Sequence, residues 1–161
     1  MAAELVLVAD AIMTELANAT FADLGWTFEP ERSYADWASD IEELNGLHVD
    51  VVPVTYEENE LDTEGSVGYL CTVDIGVRLW FTQTERGAKK RVDRAKVDRL
   101  ILFIQELNEF FCKDRGRSLT EYPTAAWEKT KIRAAYSRKH LAKHKMFLGL
   151  IRVSYTVTKD L

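Results

Sequence analysis

From Gly68 to Phe81 the chain carries an alternating pattern. Tyr69, Cys71, Val73, Ile75, Val77, Leu79 and Phe81 fall on one side, and Thr72, Asp74 and Arg78 fall on the other. A period of two puts each set on its own face of a pleated strand. A row of large apolar side chains that long needs a matching apolar layer over it, so this one segment predicts a sheet with one covered face.

The segment Leu47 to Tyr56 reads as a second strand, with Leu47, Val49 and Val51 on one face and Pro53 marking a bulge or an edge. The two strands are consecutive, which makes an antiparallel hairpin the simplest pairing. Between them lies YEENELDTEGSVGY, whose core carries Glu57, Glu58, Glu60, Asp62 and Glu64 with no cation and one apolar residue, Leu61. Trp26 to Tyr34 reads as a short strand interrupted by Pro30, hence an edge or irregular strand. Residues 35 to 46 form an acidic connection that Asn45-Gly46 stops. Further on, Trp127 to Tyr136 alternates in charge and reads as a strand solvated on one face. Met146 to Thr158 is the last strand, with Phe147, Ile151, Val153, Tyr155 and Val157 inward.

Two segments carry the covering layer. Leu5, Val8, Ala9, Ile12, Met13 and Leu16 recur at helical spacing and end before Phe21. Lys89 to Phe111 reads as a long helix with a stripe of Val97, Leu100, Ile101, Ile104, Leu107 and Phe111, widened by Phe103 and Phe110. The expected order is αβββαββ: an α+β domain over residues 1–161, with two main helices on a mostly antiparallel sheet of about five strands. A chain of 161 residues is long enough for one core of this kind.

The net charge of −5 conceals a strong polarity. Residues 1–80 hold 17 acids against Arg32 and Arg78, whereas residues 81–161 hold 9 acids against 19 Lys and Arg, so the halves stand at −15 and +10. Either the halves neutralise each other inside the fold, or unlike charges sit on separate surfaces and favour head-to-tail contact between identical copies.

Reactive chemistry is poorly represented. Cys71 and Cys112 are far apart, without CxxC spacing, and sit among apolar residues as small hydrophobes. His140 and His144 in HLAKH would share a helix face as half of a zinc site, but Lys139, Lys143 and Lys145 flank them and repel a dication. His48 stands alone. Gly65-Ser66-Val67-Gly68 lacks the Lys and helix of a phosphate loop, and no GxSxG elbow occurs. Solvated carboxylates in the acidic loop keep ordinary acidity and make poor general acids. The expectation is a protein without catalytic residues, cofactor or metal. No apolar run approaches the roughly 18–20 residues that span a bilayer, and the acidic opening segment lacks a basic leader pattern. Assembly in the cytoplasm, with no membrane partner, is expected.

The run ERGAKKRVDRAKVDR, Glu85 to Arg99, has seven cations and three acids. One reading is a solvated helix face and another a nucleic-acid-binding patch. Lys89, Lys90 and Arg91 would occupy the first helical turn, where the macrodipole is positive and cations are unfavourable. That conflict points to a partner outside the helix. The expected contact joins Arg86, Lys89, Lys90, Arg91 and Arg94 of one copy to Glu57, Glu58, Glu60, Asp62 and Glu64 of another, or sets the acidic residues along a lumen through which a polyanion slides.

The combination of Leu119, Tyr122-Pro123, Ala125-Ala126-Trp127, Ile132, Tyr136, His140-Leu141, Phe147 and Tyr155 with the VADAIMTEL helix and the LHVDVVP strand resembles small neck and tail-completion proteins of tailed bacteriophages, above all tail terminators. The resemblance covers most of the chain and rests on packing residues. It implies a structural virion protein at the top of the tail: a ring, expected to be a hexamer, that stops tube polymerisation. Such a ring contacts the tail tube protein below and a head-completion or connector protein above, and genomic DNA passes through its lumen without specific binding. A stopper or adaptor ring of the same neck fits the resemblance too, and a nucleic-acid-binding module using the basic helix start is the rival from another class.

Overall fold

The computed structural model describes residues 2–34, 46–59, 65–81, 93–113 and 117–160. In chain order the elements are α1 (Glu4–Asn18), β1 (Pro30–Arg32), β2 (Leu47–Asn59), β3 (Ser66–Trp80), α2 (Arg94–Cys112), β4 (Ala126–Ala134), α3 (Arg138–His144) and β5 (Met146–Asp160). The expected α+β class holds, with one helix more than the sequence pattern indicated.

The five strands form one sheet in the order β1-β2-β3-β5-β4. β3 and β5 are its long central pair, in unbroken antiparallel register from Ser66↔Asp160 to Trp80↔Met146. β2 and β3 form the expected antiparallel hairpin, and a register shift between Pro53 and Thr55 marks the bulge that Pro53 announced. β4 lies antiparallel on the far side of β5. β1 alone is parallel, pairing Pro30–Arg32 with Val49–Val51. It is shorter than the Trp26–Tyr34 expected, because pairing begins only at Pro30.

Alternation decides what is buried. The inward positions of β3 (Cys71, Val73, Ile75, Val77 and Leu79) join Val49 and Val51 of β2 and Ile151, Val153, Tyr155 and Val157 of β5 in one apolar core. α1 contributes Val8, Ile12 and Leu16 against β1, β2 and β3, and α2 contributes Leu100, Phe103, Ile104, Leu107 and Phe111 against β5 and β4. Both helices therefore cover the same face of the sheet. Their seam is filled by the segment after α1: Phe21 meets Phe103 edge-on at 5.0 Å and Phe110 at 5.9 Å, and Phe28 packs on Phe103 at 5.6 Å. Glu15, buried in α1, accepts a 2.6 Å hydrogen bond from the backbone N–H of Thr120, so its carboxylate is not left without a donor.

Helix α2 corrects the sequence reading. Asp93 is its N-cap, in extended conformation, and its side chain accepts from the N–H of Ala95 at 2.9 Å. This side-chain bond satisfies an orphan amide, and the helix begins at Arg94 instead of Lys89. Its 19 residues span about 28 Å. Helix α3 is capped by Ser137, whose hydroxyl accepts from the N–H of His140. It closes at Lys145, whose left-handed φ of 51° turns the chain straight into β5. β4 stops at Ala134, two residues short of the expected Tyr136.

Candidate functional site

On the face of the sheet opposite α1 and α2, polar side chains interlock across the strands. Asp74 and Arg152 stand opposite each other, with Arg152 Nε 2.7 Å from Oδ1 and Nη2 3.0 Å from Oδ2. Arg78 Nε donates to Asp50 Oδ2 at 3.0 Å, and the hydroxyls of Thr72 and Ser154 share a 3.2 Å bond. Asp50 and Asp74 are only 4% and 6% exposed although they point away from both long helices. Neighbouring strands shield them, and the arginines neutralise them in place. The Asp74 carboxylate holds the Arg152 guanidinium above its ordinary pKa.

Charge is sorted along the strand order. At one end, α1 and β2 carry six acids (Glu4, Asp10, Glu15, Asp50, Glu57, Glu58) and no Lys or Arg. At the other, β4 and α3 carry six cations (Lys129, Lys131, Arg133, Arg138, Lys139, Lys143) against Glu128. The acidic end is partly neutralised internally, since Asp10 binds Arg32, Asp50 binds Arg78 and Glu4 binds Lys159. Among the described residues no carboxylate pairs with the six cations of β4 and α3. The sequence polarity thus survives folding as two sheet ends of unlike sign, in addition to several internal pairs.

Of the site residues expected from sequence, Glu57 and Glu58 are consecutive in the exposed distal part of β2, Glu57 on the outer face and Glu58 on the face that bears the helices. Arg94 is exposed at the first position of α2, a helix that packs on β5 and β4. Arg94 and the glutamates are not brought together. Glu60, Asp62, Glu64, Arg86, Lys89, Lys90 and Arg91 lie outside the described residues. In α2 the first turn begins at Arg94, after the Asp93 cap. The basic surface that the fold does build, β4 with α3, escaped the sequence reading. Its signal was present in Lys129, Lys131 and Arg133 at spacing two, followed by Arg138, Lys139 and Lys143.

A second polar cluster fastens α1 to the distal sheet. Glu4 accepts a 3.1 Å hydrogen bond from the Tyr56 hydroxyl and pairs with Lys159 Nζ at 2.5 Å. The rings of Tyr56 and Tyr69 stack at 4.5 Å. Lys159 holds the Glu4 carboxyl below the usual range. Desolvation of its hydroxyl end, then the adjoining Glu4 carboxylate, holds the Tyr56 phenol above its own. Burial pushes the Cys71 thiol up to about 11. These shifts move each group away from neutral pH, opposite to what proton transfer requires. They describe an anchor.

An open groove of about 400 Å³ runs between α1 and the chain entering β1, lined by Met13, Thr14, Ala17, Phe28, Glu29 and Pro30. Glu29 is the one ionisable group among these lining residues. His140 Nδ1 shares a 2.7 Å hydrogen bond with Ser137 Oγ at the start of α3. Among the described residues no three His, Cys, Asp or Glu side chains group as metal ligands. No known family model matches the chain, and no curated protein is similar to it.

Proposed function

We propose that this protein is a structural subunit of the neck of a tailed bacteriophage, a tail terminator. Its copies close into a ring, expected to be sixfold, on the head-proximal end of the tail tube. The observation that carries this reading is the sorting of exposed charge along the sheet: Glu57 and Glu58 on β2 toward one end of the strand order, and the six cations of β4 and α3 toward the other. Surfaces of unlike sign at opposite ends of one subunit attract the next copy head to tail. A head-to-tail contact repeats until rotation closes it. The likeness of the VADAIMTEL helix, the LHVDVVP strand and the packing residues of the C-terminal third to tail terminators supplies the setting. There the ring meets tube protein on one side and a head-completion protein on the other, and DNA passes through its lumen.

Electron microscopy of negatively stained protein, alone and mixed with tube protein, tests the reading. The expected images are rings capping tube ends, with capped tubes no longer lengthening. A protein that stays monomeric at all concentrations and leaves the tubes free to grow rules the reading out. The basic strip on β4 and α3 favours a second reading, a nucleic-acid-binding module. This predicts duplex affinity that falls steeply with salt, whereas the ring reading predicts little affinity for free DNA.

A further inference from the structure

We infer that the copies join by sheet continuation: the basic edge strand β4 of one copy pairs with the acidic distal half of β2 in the next. This inference rests on the ring reading and names the surfaces that make the ring. Both strands offer an edge. β4 is the last strand of the sheet and pairs only with β5. β2 is covered on its outer side by β1 only along Val49–Val51, so among the described residues its stretch from Val54 to Asn59 is paired on one side alone, with β3. A strand edge of this kind is a template for another strand.

Direction and face also agree. β2 is antiparallel to β3, β3 to β5 and β5 to β4, so β4 runs opposite to β2. Copies related by rotation about an axis along the strands keep their directions, and β4 of one then meets β2 of the next as an antiparallel pair. Within one subunit, Thr55, Thr72, Ser154 and Lys129 lie on one rung, and Glu57, Leu70, Thr156 and Ala126 on the next outward-facing one. Glu57, Lys129 and Lys131 therefore share the outer face. At the same height around an axis, Glu57 of one copy is a diagonal neighbour of Lys129 in the next, within reach of a long side chain.

Selectivity follows from the same charges. Lysines on an edge strand oppose pairing with a second copy of that edge, so β4 does not dimerise on itself. The acidic β2 edge repels its own kind equally, and the one favourable union is β4 with β2. Pro53, which has no N–H to donate, and β1 beyond it limit the joint to the distal half of β2.

Charge reversal tests the joint. E57K and the pair K129E/K131E change exposed side chains, so circular dichroism and Tm should match the parent. Each should weaken association by about tenfold or more, since juxtaposed like charges replace complementary ones. Sedimentation should then show subunits in place of rings. Combining E57K with K129E/K131E should restore the rings. Rings that persist unchanged in both reversed variants overturn the β4–β2 joint and leave the neck reading intact. Rings lost in the reversed variants and not recovered in the combined one also overturn it. A parent protein that never assembles, with or without tube protein, removes both.

Discussion

Asp74 and Arg152 face each other across the two central strands and are held by two hydrogen bonds, with only 9% and 25% of their side chains exposed. Breaking such a pair from one side leaves a desolvated charge behind, which costs more than the pair contributes. D74N is expected to destabilise the protein by about 2–3 kcal/mol. Replacing both residues by valine, which suits strand positions, should cost less than D74N alone. Urea denaturation midpoints of the single and double variants measure the difference.

The Glu4 anchor carries a pH signature. Lys159 depresses the Glu4 carboxyl in the folded state. The stability this contributes is fully present above the ordinary glutamate pKa and disappears as pH falls through the lower folded value. E4Q should melt below the parent at pH 7, and the two melting curves should converge in acid below the folded value. Melting temperatures from pH 7 down to about 3 follow this. A gap that stays constant throughout would remove the ion pair from the account.

Gly149 of β5 lies directly beneath Ile104 of α2. A Cβ placed there would collide with Cδ1 of Ile104 and lie 2.7 Å from its Cγ1. Both atoms belong to a buried side chain in a packed core, which yields only by strain. G149A is expected to cost about 1–3 kcal/mol. I104V removes the colliding methyl, so the double variant I104V/G149A should be more stable than the sum of the single effects predicts. A double-mutant cycle in chemical denaturation reads that coupling.

How much of this could be read from sequence depended on the distance over which each signal acts. The β3 alternation and the α1 stripe are local, and they placed Cys71 to Leu79 and Val8 to Leu16 in the core. The α2 stripe was equally legible, but its start was set too early. The basic run before Asp93 continued the polar pattern, whereas the capping bond from Asp93 to the Ala95 amide fixes the boundary. Helix α3 was missed because seven residues are too few for a clear period. The insertion of β5 between β3 and β4 rests on long-range pairing that no local pattern encodes. The same insertion hid the candidate surface. Lys129 and Lys131 look like a solvated strand face until the topology makes them the edge farthest from β2.

The β3–β5 ladder has a consequence for how the chain acquires its shape. β3 can fold onto β2 through a short connection, but its other flank waits for Met146 to reach Trp80, a closure over 65 intervening residues. Distant closures of this kind are slow and hold an apolar flank open meanwhile. A nascent chain lacking β5 is therefore a half-built sheet with Val73, Ile75 and Val77 prone to sticking. Truncation before Met146 should send the polypeptide to inclusion bodies rather than to a smaller folded product.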